Sequence, residues 1–139
     1  MMNRDAKFIC DATGGQLVSG SNVAFTDVSI DTRTLVSGAA FFCLRGPNFD
    51  GHNFATDALQ KGARVLVIQR DSLSLLESLN LDSQAVVAVD DTERALGQTA
   101  AAWRRAHDVK LVGLTGSSGK TTTKEMVRAV LESQGITLA

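Results

Sequence analysis

The stretch "TGSSGKTT", Thr115 to Thr122, sets Gly116, Ser117, Ser118 and Gly119 directly before Lys120, Thr121 and Thr122. Small residues let successive backbone N–H groups converge on a phosphate, and a helix opening at Lys120 adds its N-terminal partial positive charge. A lysine here reaches the β and γ phosphates, and a hydroxyl at Thr121 suits a magnesium ligand. The strict glycine-rich pattern asks for glycine at position 114, where Leu114 stands. A plain glycine turn with Lys120 as a solvated lysine is the alternative. The apolar run before the loop, the helical pattern after it and the Gly-Lys-Thr run favour phosphate binding.

Two further clusters hold polar groups at turns. Asp31-Thr32-Arg33 reads either as a strand-end turn with a surface arginine or as a binding site. Asp50-Gly51-His52 is an ordinary turn pair followed by a histidine that could open a helix without touching any ligand.

The elements that must position these groups alternate between strand and helix. "VAFTDVSIDTR" from Val23 and "AAFFCLRG" read as two strands with a polar loop between them. Asn53 can cap the short helix "FATDALQK", with Gly62 just past its end, and the apolar "ARVLVIQR" follows as a strand. A loop or short helix, "DSLSLLESLNLDSQ", leads to the strand "AVVAVD". Asp90 and Glu93 stand in capping-box spacing before a helix marked by Leu96, Ala100, Trp103 and His107. "VKLVGLT" reads as a buried strand, and a helix from about Lys120 to Gln134 follows the loop. The N-terminus offers only an apolar patch (Ala6, Phe8, Ile9) and then a turn, short strand and turn in "GGQLVSGSN". The expected fold class is α/β: a small N-terminal α/β domain with a mixed sheet, then the first helix, strand, phosphate loop and helix of a Rossmann-like ATPase domain. The composition places the boundary near Ser83 to Asp91, giving domains 1–86 and 87–139.

A hydrophobic content of 44% over 139 residues supplies a core of ordinary size. The net charge of -1, with mixed signs and no Tyr, argues against a nucleic-acid partner. No apolar run approaches the about 20 residues of a membrane helix, and the N-terminus has no secretory apolar segment. Cys10 and Cys43 lack a second Cys or His at metal-ligand spacing, so buried thiols in a reducing cytoplasm are expected.

The short form Thr115 to Thr122 resembles the ATP loop of the Mur ligases, enzymes of peptidoglycan precursor synthesis, and so of the cell wall on which cell shape and division depend. "SIDTRTLVSGAAFFCLRGPNFDGHNFATDALQKGARVLV", Ser29 to Val67, is similar to that family's N-terminal module in its D-[ST]-R, G-x-x-F and D-G-H-x-F segments. Ser117-Ser118 and the following Lys-Glu-Met resemble members that add D-alanyl-D-alanine to UDP-N-acetylmuramoyl-tripeptide. They are less like members that add the third amino acid, which stay as the alternative, as does an unrelated nucleotide-binding module. Ser37 stands where the family usually has Pro, and Arg45 and Pro47 replace commoner choices.

The resemblance implies three domains: one holding the UDP end of the precursor, one binding ATP and one closing over it. The chain is then expected to be a fragment, inactive alone, of an amide-bond ligase working through an acyl phosphate with ATP and Mg2+. It implies that Lys120 stabilises the transferring phosphate, that Thr121 helps hold Mg2+, and that Thr115 to Thr122 bind ATP. It also places Thr32 and Arg33 near the diphosphate or uridine, with Gly46, Asn48, Asp50, Gly51 and His52 in the loop beside it. A hydroxyl and a guanidinium agree with a diphosphate. The full-length protein is expected to be a monomer, whereas an unpaired strand at Lys110 to Leu114 would promote self-association of the fragment.

Overall fold

The computed structural model describes residues 4–137, which fall into two compact units, one through His107 and one from Asp108. The first is built on a five-stranded mixed sheet. Its strands are β1 (Gln16–Ser19), β2 (Val28–Ser29), β3 (Ala40–Phe42), β6 (Val65–Gln69) and β7 (Ala85–Val89), in the order β1-β7-β6-β3-β2. All neighbours run parallel except β1, which pairs antiparallel with β7 at one edge. A separate two-stranded hairpin, β4 (Arg45–Gly46) and β5 (Phe49–Asp50), turns through Pro47-Asn48.

The apolar runs of β6 and β7 are continuous because both faces of the sheet are covered. Val65, Val67, Val87 and Phe42 face one core with Phe8, Ile9 and Ala95, on the side of α1 (Ala6–Thr13) and α3 (Thr92–Arg105). Leu66, Ile68, Val86 and Phe41 face the other, with Ala55 and Ala58 of α2 (Ala55–Gln60) and Leu79 beyond a 3-10 segment, Arg70–Ser78. Alternate side chains of one strand thus serve two cores. Phe8 meets Trp103 edge-on at 5.9 Å, tying α1 to α3, and the Arg4 guanidinium lies 4.3 Å from the indole centroid.

The mixed sheet, the strands at 65–69 and 85–89 and the helix closed by Gly62 agree with expectation. Other elements differ, each for a physical reason. The N-terminal patch is a helix, capped by the Asp5 carboxylate accepting from the Phe8 N–H at 2.8 Å and closed by Gly14. The expected strand from Val23 shrinks to two residues, because the polar stretch around it pairs with β3 only at Val28 and Ser29. Asp91, not Asp90, caps α3 by accepting from the Arg94 N–H at 2.8 Å, while Asp90 pairs with Arg70.

The compact first unit also ends later than the expected cut after residue 86. β7 pairs on both sides, and the Thr92 hydroxyl donates to the Cys43 carbonyl at 2.9 Å inside the unit. In the second unit, residues 110–114 form no strand: they are exposed and make no ladder among the described residues. An extended apolar run needs a neighbour to satisfy its backbone. The helix after the loop, α4 (Lys120–Glu132), stops two residues short of the expected Gln134.

Thr92→Val keeps the shape of this side chain and leaves a buried carbonyl without its donor. It is expected to lower unfolding free energy by about 1–3 kcal/mol in urea titrations. An unchanged midpoint would show that α3 is not anchored to the first unit through this bond.

Candidate functional site

In the first unit the chain leaves β2 into Asp31-Thr32-Arg33, a turn locked by its own side chain. One Asp31 carboxylate oxygen accepts from the Arg33 N–H at 2.9 Å, and the guanidinium bonds the same carboxylate at 2.6 Å and 3.0 Å. The Arg33 side chain is otherwise open to solvent. Its hydrogen bonds hold the Asp31 carboxyl down at about 2.

Thr32 is buried between this turn and α2. Lys61 donates to its carbonyl at 2.9 Å and pairs with Asp57 at 3.2 Å. The Thr32 side chain and Lys61 together lower the Asp57 carboxyl.

Ile30, Thr32 and Arg33 line a cleft of about 460 Å³ with Phe41, Phe49 and Phe54. Phe41 is its buried floor, whereas Phe49 and Phe54 are roughly half exposed and stack at 5.5 Å with 18° between planes. A flat aromatic face beside a guanidinium and a hydroxyl can take a planar base on one side and an anion on the other. The sequence reading missed both phenylalanines as site residues, although "NFDGHNF" sets one on each side of Asp50-Gly51-His52.

The remaining expected residues separate into two groups. Gly46 and Asn48 are exposed on the hairpin and lie outside the lining of the cleft. Asp50, Gly51 and His52 turn inward, at the entrance to a 3-10 turn, Gly51–Phe54, that runs into α2. The Gly51 N–H donates to the Leu44 carbonyl at 2.7 Å, and a Cβ at Gly51 would sit 2.8 Å from the Leu44 backbone. Only glycine fits that approach. His52 is buried, with Nδ1 2.6 Å from an Asp50 oxygen and Nε2 accepting from the Gln69 N–H at 3.0 Å. Burial pushes the Asp50 carboxyl up, but the His52 backbone and imidazole, with Arg45, outweigh it and leave it below the ordinary value.

In the second unit the loop ends at Gly119, whose φ of 74° is the left-handed conformation that glycine allows. α4 then starts without a side-chain cap, so its first N–H groups stay available. Thr115 to Thr122 are all exposed, and Lys120 has no ion pair among the described residues. Lys120 and Thr121 edge a hollow of about 410 Å³ between α4 and residues 110–114. An uncapped helix start, a lysine and a hydroxyl fit a nucleotide triphosphate and a magnesium ion. Among the described residues no group of three or more His, Cys, Asp or Glu is arranged to hold a metal, and no helix is long and apolar enough to cross a membrane.

For Asp31 the sign of the pH effect follows from its lowered value. The turn's stabilisation is present above the ordinary carboxylate pKa of about 3.9 and is lost as pH falls through the folded value. Carboxyl ¹³C titration is expected to place Asp31 at about 2, and Arg33→Ala to return it toward the ordinary range. An Asp31 titration unchanged by that substitution would break the assignment of cause.

The family described as "Mur ligase family, catalytic domain" matches residues 24–104. A Synechocystis UDP-N-acetylmuramoyl-tripeptide:D-alanyl-D-alanine ligase is 42% identical over 82% of this chain and 24% of its own length. A Geobacillus kaustophilus UDP-N-acetylmuramoyl-L-alanyl-D-glutamate:2,6-diaminopimelate ligase is 36% identical over 84% and 22%. Among solved structures, the D-alanyl-D-alanyl ligase of Acinetobacter baumannii superposes with a TM-score of 0.76 at 33% identity, over 96% of this chain and 29% of its own. The Thermotoga maritima enzyme, in complex with ADP, gives 0.60 at 29% identity over 77% and 23%. The chain spans about a quarter of the length of the relatives it matches. With more than half of its residues inside the family match, the chain belongs to the Mur ligase family.

Proposed function

We propose that the chain is the N-terminal part of an ATP-dependent ligase that joins D-alanyl-D-alanine to UDP-N-acetylmuramoyl-tripeptide, and that its first unit holds the UDP end of that precursor. The observation that carries the reading is the cleft in which Thr32 and Arg33 face the stacked Phe49 and Phe54. It offers an aromatic surface for a uracil and a cation for a diphosphate. The likeness to D-alanyl-D-alanine ligases supports the choice of reaction.

The second unit would begin the ATP-binding domain, and the ADP held by the Thermotoga relative supports the nucleotide. ATP, when bound, supplies the phosphoryl group that activates the tripeptide carboxylate. The chain's own part is to orient it: backbone N–H groups from Ser117 to Lys120 receive phosphate oxygens, the Lys120 ammonium offsets their charge, and Thr121 offers a hydroxyl to Mg2+. Asp50, Gly51 and His52 would support the cleft from behind, with Gly46 and Asn48 on its hairpin rim. A cytoplasmic setting belongs to the same proposal.

Titration of the chain with UDP-N-acetylmuramoyl-tripeptide, followed by backbone amide shifts, tests the first unit. Saturable shifts are expected at Thr32, Arg33, Phe49 and Phe54, and Phe49→Ala is expected to weaken binding about five- to tenfold, the scale of one stacking contact. Lys120→Ala should leave that affinity unchanged and reduce any ATP binding. A folded sample with no shift in the cleft would overturn the proposal.

A further inference from the structure

We propose that His52 is a positioning residue: a two-sided latch between hairpin β4–β5 and the end of β6 that keeps Phe49 stacked on Phe54. A backbone N–H can only donate, so Nε2, 3.0 Å from the Gln69 nitrogen, is the unprotonated nitrogen of the ring. Asp50, its carboxyl lowered, can only accept, so Nδ1, 2.6 Å away, carries the proton. The two contacts fix one tautomer and leave neither ring nitrogen for a ligand.

The hairpin has few other ties. Arg45 bonds the second Asp50 oxygen at 3.1 Å and Asp71 at 2.9 Å, but these groups are between a third and two thirds exposed, where ion pairs contribute little. The Gly51 N–H bond to Leu44 fixes the strand exit rather than the tip. The buried bonds of His52 therefore carry the attachment. Phe49 lies one residue before Asp50, and Phe54 two residues after His52, so the latch sits between the two stacked rings. The effect on affinity rests on the nucleotide reading of the cleft; the latch itself does not.

Ring ¹⁵N spectra of the unliganded chain are expected to show the Nδ1–H tautomer of His52 and a coupling from the Gln69 N–H across to Nε2. His52→Asn can keep a donor for Asp50 and loses the acceptor for Gln69; His52→Gln does the reverse. Each is expected to speed amide exchange of the hairpin about tenfold and to weaken uridine diphosphate binding about tenfold. Contacts between the Phe49 and Phe54 rings should fade in nuclear Overhauser spectra, while the Trp103 indole signal stays in place. A side chain that only filled space would be replaced by Gln without these losses.

The Nε2–H tautomer, or unchanged hairpin exchange in both variants, would overturn the latch. A loosened hairpin with unchanged affinity would overturn its positioning role. Wild-type chain with the expected tautomer and hairpin behaviour but no uridine diphosphate binding would overturn the nucleotide reading and leave the latch standing. Should either variant lose the Trp103 signal and unfold, the wild-type tautomer and coupling decide.

Discussion

Burial of β6 on both faces is the constraint from which the first unit follows. β6 is paired along its length with β7 and over three residues with β3, and Val65 to Ile68 are fully enclosed. A strand with no polar face must have a layer on each side, so helices are required on both. α1 and α3 cover one face, and α2 with the 3-10 segment covers the other. Once those layers are in place, the ends of the strands fix the groups around the cleft. β2 delivers Thr32 and Arg33, β3 runs on into the hairpin, and β6 ends at the Gln69 amide that meets His52.

The second unit shows the same physics with its covering layer missing from the described residues. Leu111, Val112 and Leu114 are exposed, as are Val130 and Leu131 of α4. The loop nevertheless keeps its conformation locally, through a left-handed Gly119 and the first turn of α4, whose Thr123 N–H reaches the Gly119 carbonyl at 3.0 Å. Loop shape is thus encoded within a few residues, whereas burial of the apolar run beside it requires distant ones.

What the sequence made legible follows the same division. β6 and β7 were readable because continuous β-branched runs have few alternatives, and α3 because its apolar residues recur at helical spacing. α1 carried its signals too, with Asp5 before it and Gly14 after it, but eight residues give too little periodicity to display them. Thr32 and Arg33 were legible as polar groups at a turn, yet the aromatic half of the cleft was not, since two phenylalanines five residues apart read as core until a hairpin exposes them. The inward turn of His52 depends on Gln69, far along the chain, and such a pairing has no local signature. The compact first unit runs past residue 86 through a contact just as distant in sequence: the hydroxyl of Thr92 finds its acceptor on Cys43.

The single tryptophan has a practical consequence. With one Trp and no Tyr, intrinsic fluorescence comes almost wholly from Trp103, wedged among Phe8, Arg4 and the His107 ring, whose centroid is 4.4 Å away. The emission therefore watches the seam between α1 and α3, on the sheet face opposite α2. α4, in the second unit, contains no fluorophore and contributes instead to the far-ultraviolet helical signal. The far-ultraviolet signal thus adds α4 to the helices of the first unit, and a gap between its melting curve and that of the emission would measure how independently the second unit unravels.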